Sequence, residues 1–236
     1  PIAENFIIQS NKKLKDKAFN HFLLNDSDKD KGLKILKKMG IPDATWFVTL
    51  HVRQGFEDQK SRNSNILTYI KAINEIISRG GFVIRVGDKK MSQLPKIKGL
   101  IDYPFTDFKS EFMDVFLAAT GRFCLGTSSG YWTMPIYFGK PVLLVNYLPP
   151  LDYFSLSEEH LFLPKNLIDK TTKKTIPLEN LLNTSFSTVA EKQYDNRNIE
   201  IIDNTEDEIL QATIEMLDKI ENRKLSHEFL SKNKRF

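Results

Sequence analysis

The chain has 236 residues, 41% of them hydrophobic, enough for one good core or two small ones, as in an ordinary soluble globular protein. Lys and Arg total 34 against 30 Asp and Glu, and no basic–aromatic interleaving accompanies the mild basic bias over 12–38, so nucleic acid is excluded as a partner. Cys124 is the only cysteine, which excludes disulfides and cysteine zinc sites within one chain; no apolar run approaches the ~20 residues of a membrane span, and no signal pattern is present. A cytoplasmic location is expected, at most peripheral at the inner face of a membrane.

Residues 12–22 carry Leu14, Ala18 and Phe22 at four-residue spacing, and 33–39 form a second amphipathic stretch stopped by Gly40 and Pro42. Asp26, Asp28 and Asp30 alternate as in a calcium loop, but Lys31 stands where the tight-turn glycine belongs and Lys37 where the bidentate Glu belongs. Calcium is rejected, and a solvated linker is expected there.

Residues 46–52, WFVTLHV, are rich in aromatic and β-branched side chains and predict a strand running into Arg53-Gln54-Gly55. A helix is expected over 64–78, with Ile66, Ile70, Ile73 and Ile77 on one face, and a strand over 82–86 that ends in Gly87-Asp88. After Ile101-Asp102-Tyr103 comes a helix over 111–119 with Phe112, Val115, Phe116 and Ala119 inward. Then RFCLGTSSGYWTMPIYFGKPVLLVN reads as a strand at 123–126, a polar turn at 127–130, a helix at 131–138 and a strand at 141–145. Strand and helix alternation predicts an α/β fold, a Rossmann-like parallel sheet with helices on both faces.

Beyond Pro149-Pro150 the pattern weakens. Leu161-Phe162-Leu163-Pro164 is the one strand-like piece, 176–182 reads as a short helix, and 199–202 as an edge strand. Thr205 and Glu208 form a capping box for a helix through Ile209, Ala212, Met216 and Ile220, and the tail after 222 is polar.

In a parallel sheet ligands bind beyond the carboxyl ends of the strands, where Arg53, Asp88 and the 127–130 turn all fall. Arg53 offers a planar fork for a phosphate, while Thr127, Ser128, Ser129 and Gly130 offer N–H and hydroxyl donors for another. By itself that turn is also read as an ordinary βα turn with a serine cap. With Arg53 and Asp88 at the same edge, a diphosphate pocket is the preferred reading. No Gly-x-Gly-x-x-Gly or Walker loop follows a strand, and no Asp-x-Asp stands at a strand end. No cofactor or metal is therefore expected, and a nucleoside-diphosphate leaving group is the economical ligand.

The series His51-Val52-Arg53, Arg62-Asn63, Val83-Ile84-Arg85-Val86-Gly87-Asp88, Ile101-Asp102-Tyr103, Phe116-Leu117, Arg122-Phe123, 125–130 and 138–146 resembles a bacterial family of glycosyltransferases. It continues more weakly through Leu163-Pro164-Lys165 and Asp203-Asn204-Thr205. More distantly the His-x-Arg strand end and the Ser-Ser turn are similar to the α1,6-fucosyltransferases, the rhizobial nodulation fucosyltransferases and the protein O-fucosyltransferases. The resemblance implies the C-terminal, nucleotide-sugar half of a GT-B fold, with Arg53 binding phosphate and Ser128 and Ser129 beneath the diphosphate. It implies a sugar nucleotide as donor, GDP-linked among the expectations, and a glycan, lipid-linked or other surface-polymer acceptor. Gln54-Gly55 departs from the fucosyltransferase pattern, so guanine and fucose specificity do not carry over.

The expected organisation is a helical segment or partner-domain remnant at 1–45, a nucleotide-sugar domain at 46–222 and a tail at 223–236. About 45 residues ahead of the first strand are too few for a second Rossmann half. Either the chain is a C-terminal half whose catalytic base would come from the other half, or its partner domain is reduced to helices; the catalytic residue is left open, with His51, Glu57 and Asp58 as local candidates.

Each candidate has a structural counterpart. His51 packs at a strand end or touches ligand; Arg85 pairs with Asp88 or Asp102 or binds substrate; Asp88 takes a ribose hydroxyl or a turn role. Asn63 beside Arg62 caps a helix or closes over the phosphates, and Tyr131 and Trp132 pack on the sheet or stack on a base. Two other functions share the clamp or the fold: a polyol-phosphate transferase with a CDP-activated donor, and a degenerate half that binds glycans or supports assembly without catalysis.

Overall fold

The computed structural model describes residues 22–55, 57–148, 159–177 and 198–221, apart from the side chains of 57–59. Its centre is a six-stranded sheet in which every pairing is parallel. The strands are β1 (Phe47–His51), β2 (Phe82–Arg85), β3 (Leu100–Asp102), β4 (Cys124–Gly126), β5 (Val142–Tyr147) and β6 (Leu161–Pro164), and they lie in the order β3-β2-β1-β4-β5-β6. The order runs outward from β1 to β3, returns, and runs outward again from β4, so the chain reverses direction across the sheet between β1 and β4.

Alternation along β1 sends its side chains to two cores. Val48, Leu50 and Val52 meet α2 (Ile70–Ser78) and α5 (Glu206–Ile220) through Ala72, Ile73, Ile76, Met216 and Leu217. Phe47 faces the other way, into a core of Leu36, Ile84, Val86, Met113, Phe116 and Leu117 supplied in part by α1 (Asp26–Lys38) and α3 (Glu111–Thr120). Each fully buried Ile or Leu contributes roughly 1.5–3 kcal/mol, so two such layers hold the sheet. The protein is a Rossmann-like parallel α/β fold with helices on both faces.

Four expectations are corrected. Residues 26–32 are helical, not linker: the Asn25 side chain accepts the Asp28 N–H at 2.8 Å, and Asp26 and Asp28 sit in the first turn, where acidic groups suit the helix N-terminus. The 64–78 helix opens as a 3-10 turn, Ile66–Tyr69, because the Asn65 side chain takes the Leu67 N–H at 3.0 Å. On α3 Phe116 and Ala119 are buried as expected and Phe112 packs on the core, but Val115 is 38% exposed and Met113 and Leu117 are buried instead. The helix after the polar turn is only α4 (Thr133–Tyr137), five residues starting beyond Tyr131 and Trp132, and no side chain caps it.

A small antiparallel pair, β7 (Asn166–Asp169) with β8 (Ile199–Ile202), forms a second sheet over Leu148, Leu167 and Ile199. β7 was not expected, and β8 is an edge strand of this pair, not of the main sheet. The capping box at Thr205 and Glu208 is present at the start of α5. The stretches read at 12–21 and 178–182, and the tail, lie outside the described residues.

Candidate functional site

The strand-order reversal leaves a crevice beyond the carboxyl ends of β1 and β4. Two bonds past the strands hold its floor together. The Thr127 N–H donates to the His51 carbonyl at 3.0 Å, and the Arg53 N–H donates to Thr127 Oγ1 at 2.9 Å. Thr127 is thus fully buried as a joint between the two strand ends. A Cβ on Gly126 would stand 3.0 Å from the His51 carbonyl oxygen, which explains glycine at the last position of β4.

The loop after β1 returns to its origin. It passes through the 3-10 helix Glu57–Arg62, and the Ser64 N–H then donates to the Arg53 carbonyl at 3.0 Å. The Arg62 guanidinium reaches across to the other strand end, donating from Nε at 3.1 Å and Nη2 at 2.9 Å to the Ser128 carbonyl. Beside it the Asn63 carbonyl accepts from Lys165 Nζ at 2.8 Å. Arg53, Arg62, Asn63 and the 127–130 turn are therefore brought together. Within that turn the main-chain N–H groups of Ser128, Ser129 and Gly130, and that of Tyr131 after it, donate to no acceptor among the described residues. Successive free N–H groups beside arginine make an anion-binding concavity without help from a long helix.

His51 stands at the edge of the turn. Its Nδ1 lies 3.0 Å from Ser129 Oγ, and its ring stacks on Tyr131 at 5.5 Å with 12° between planes. Burial, reinforced by Arg85 and then Arg53, pushes the imidazole down to about 4. It is neutral at pH 7 and a weak base. Trp132 is buried with Val142, Leu144 and Tyr147, so it packs on the sheet.

Two predicted site residues serve the scaffold. Arg85 is fully buried, donating to Asp102 Oδ1 at 2.9 Å and to the Ser92 carbonyl at 2.6 Å. Asp88 is exposed and accepts the Lys90 N–H at 2.8 Å within its own turn. Glu57 and Asp58 belong to the 3-10 helix, but their side chains lie outside the described residues. Among the described residues no group of three His, Cys, Asp or Glu could hold a metal ion, and no helix is long and apolar enough to cross a membrane.

Sequence reasoning gave no role to Gln54, Asn146, Lys165, Asp203 or Asn204. Gln54 Oε1 accepts the Ser92 N–H at 3.3 Å, tying the loop after β1 to the loop after β2. Asn146 and Asn204 exchange bonds: the Asn146 N–H donates to Asn204 Oδ1 at 2.6 Å and the Asn204 N–H to Asn146 Oδ1 at 2.5 Å. The available signal was an asparagine ending an otherwise apolar strand, VLLVN.

No family model matches the sequence, and no curated protein matches it. Among solved structures, the chain is similar in fold to a glycosyl transferase family 9 protein from Veillonella parvula DSM 2008, with a TM-score of 0.53 at 9% identity over 84% of this chain and 54% of that one. A looser overlap is with the dodecameric iron-containing heptosyltransferase TibC in complex with ADP-D-β-D-heptose, TM-score 0.43 at 13% identity over 78% of this chain and 48% of that one. The chain spans about half the length of the solved structures it matches. What it shares with the family 9 protein is the Rossmann-like parallel α/β fold.

Proposed function

We propose that this chain is the donor-binding half of a metal-independent, GT-B-type glycosyltransferase, holding the diphosphate of a nucleotide sugar over the carboxyl ends of β1 and β4. The observation that carries this reading is the run of main-chain N–H groups from Ser128 to Tyr131 that meet no acceptor among the described residues, in the turn that bonds Arg53 and Arg62 at the strand-order reversal. The fold likeness to a glycosyl transferase family 9 protein supports it. In the transfer, the bond between the sugar's anomeric carbon and the diphosphate oxygen breaks, and the leaving nucleoside diphosphate keeps the electron pair. N–H donors and guanidinium groups fixed before the reaction stabilise that developing charge, as a divalent cation does elsewhere. An acceptor hydroxyl on a glycan or lipid-linked polymer forms the new bond and gives its proton to a base. His51 is too weak a base at neutral pH for that role, which leaves Glu57, Asp58 or a residue of the partner half of the GT-B cleft to take the proton. The protein would work in the cytoplasm, peripheral to the membrane where surface polymers are made.

Thermal shift and calorimetry with ADP, GDP, UDP and CDP and their sugars, on wild type and Arg53→Ala, test this. At least one nucleoside diphosphate should stabilise wild type, and Arg53→Ala should bind it about tenfold or more weakly, as expected for loss of a charged hydrogen bond. No stabilisation by any of them sinks the proposal. Binding confined to CDP would point to a polyol-phosphate transferase, and glycan binding unaffected by Arg53→Ala to a non-catalytic module.

A further inference from the structure

An ion pair between a buried lysine and a partly exposed aspartate adjoins the end of the loop after β1. Lys165, between β6 and β7, has its side chain 2% exposed, and Nζ sits 2.6 Å from Asp203 Oδ1. The same Nζ donates to the Asn63 carbonyl, next in sequence to the Arg62 that grips the Ser128 carbonyl. The second oxygen of Asp203 accepts from Ser64 Oγ at 3.1 Å, and Ser64 in turn bonds the Arg53 carbonyl. One ion pair therefore holds two consecutive residues, Asn63 and Ser64, immediately after Arg62.

The peptide joining Ser128 and Ser129 is planar and trans, so its carbonyl and its N–H point to opposite sides. With the carbonyl held by Arg62, the Ser129 N–H is turned the other way, and whatever fixes Arg62 fixes that donor. With the Asp203 side chain 41% exposed, solvent screens the pair and its net contribution to stability is small. What it orients is the better account of its presence.

We propose that Lys165, locked by Asp203, is a positioning residue for the donor diphosphate, acting through Asn63 and Arg62 on the Ser128–Ser129 peptide; this rests on the donor-site reading above. The test uses Lys165→Met, Asp203→Asn and Arg62→Met in the whole chain. Backbone amide NMR of the ligand-free proteins should show the Ser129 and Gly130 signals moving in the same direction in all three. ADP, GDP, UDP and CDP, each compared with its nucleoside, should show the diphosphate contribution to affinity falling about tenfold, and the Arg62→Met/Lys165→Met double variant should be no worse than Arg62→Met alone. Folded Lys165→Met and Asp203→Asn proteins whose Ser129 and Gly130 amides stay in place overturn the proposal. So do additive losses in the double variant, or unfolding of both variants, which would assign the pair to stability alone. If wild type binds no nucleotide, the donor reading fails while the amide comparison still decides the brace.

Discussion

Arg85 ends β2 and Arg53 follows β1, yet the two arginines have different surroundings. The Arg85 side chain is 1% exposed and depends on Asp102, whose own side chain is 15% exposed and also accepts the Leu94 N–H at 2.8 Å. Asp102→Ala leaves a guanidinium buried without its counter-ion and should cost about 3–5 kcal/mol. Arg85→Met keeps the volume and leaves behind a carboxylate that water can reach, so it should cost clearly less. Urea denaturation of the two variants measures the difference, and equal losses would show that the asymmetry is wrong. Arg85→Met should also keep nucleoside-diphosphate binding, whereas Arg53→Ala should not. The sequence offered Arg85 either a structural pair with Asp88 or Asp102 or a contact with substrate. The choice of Asp102 is made by the β2–β3 pairing, where Arg85 stands opposite it.

Helix α1 shows how an element's role depends on contacts its own sequence does not reveal. Of the aspartates read as a solvated linker, Asp26 and Asp28 are first-turn residues after an Asn25 cap, a position at which negative charge is stabilising. Gly32 lies in its middle, where alanine would ordinarily raise helix stability by about 0.5–1 kcal/mol. Here a Cβ would overlap the Phe116 ring of α3, and Gly32 is buried in that contact. Overpacking costs typically 1–3 kcal/mol, so the packing term wins. Gly32→Ala should lower the thermal midpoint by several degrees, and a rise would mean that α1 yields at no cost. On α3 the inward face holds at Phe112, Phe116 and Ala119 and fails at Val115, which is as apolar as its neighbours but is left uncovered by the packing around it.

For the molecule as a whole, the alternation of strands and helices and the polar strand ends were legible, because they are local patterns. The order β3-β2-β1-β4-β5-β6 was not, nor was the tie between Asn146 and Asn204, which are distant in sequence and meet only once α5 docks beneath β5. Long-range contacts also cover most of two histidines. His160 Nδ1 accepts the Val142 N–H at 3.0 Å, pinning the start of β6 to the start of β5, and that bond requires an unprotonated Nδ1. Burial, then Lys219, pushes His160 down to about 4, as burial and the two arginines do for His51. Both folded values lie below the ordinary 6.5, so as pH falls through 6.5 the unfolded chain takes up protons that the folded chain refuses. Stability from the two groups is therefore complete above about pH 6.5 and lost progressively towards pH 4. Between pH 6.5 and 5 each contributes at most about 2 kcal/mol, and partial exposure of both rings brings the expected joint loss to roughly 2 kcal/mol. Asparagine can supply an acceptor near the position of Nδ1 without titrating. The His51→Asn/His160→Asn protein should thus show urea midpoints nearly independent of pH over this window, while the wild-type midpoint falls. If the two proteins lose stability in parallel, these histidines are not its source.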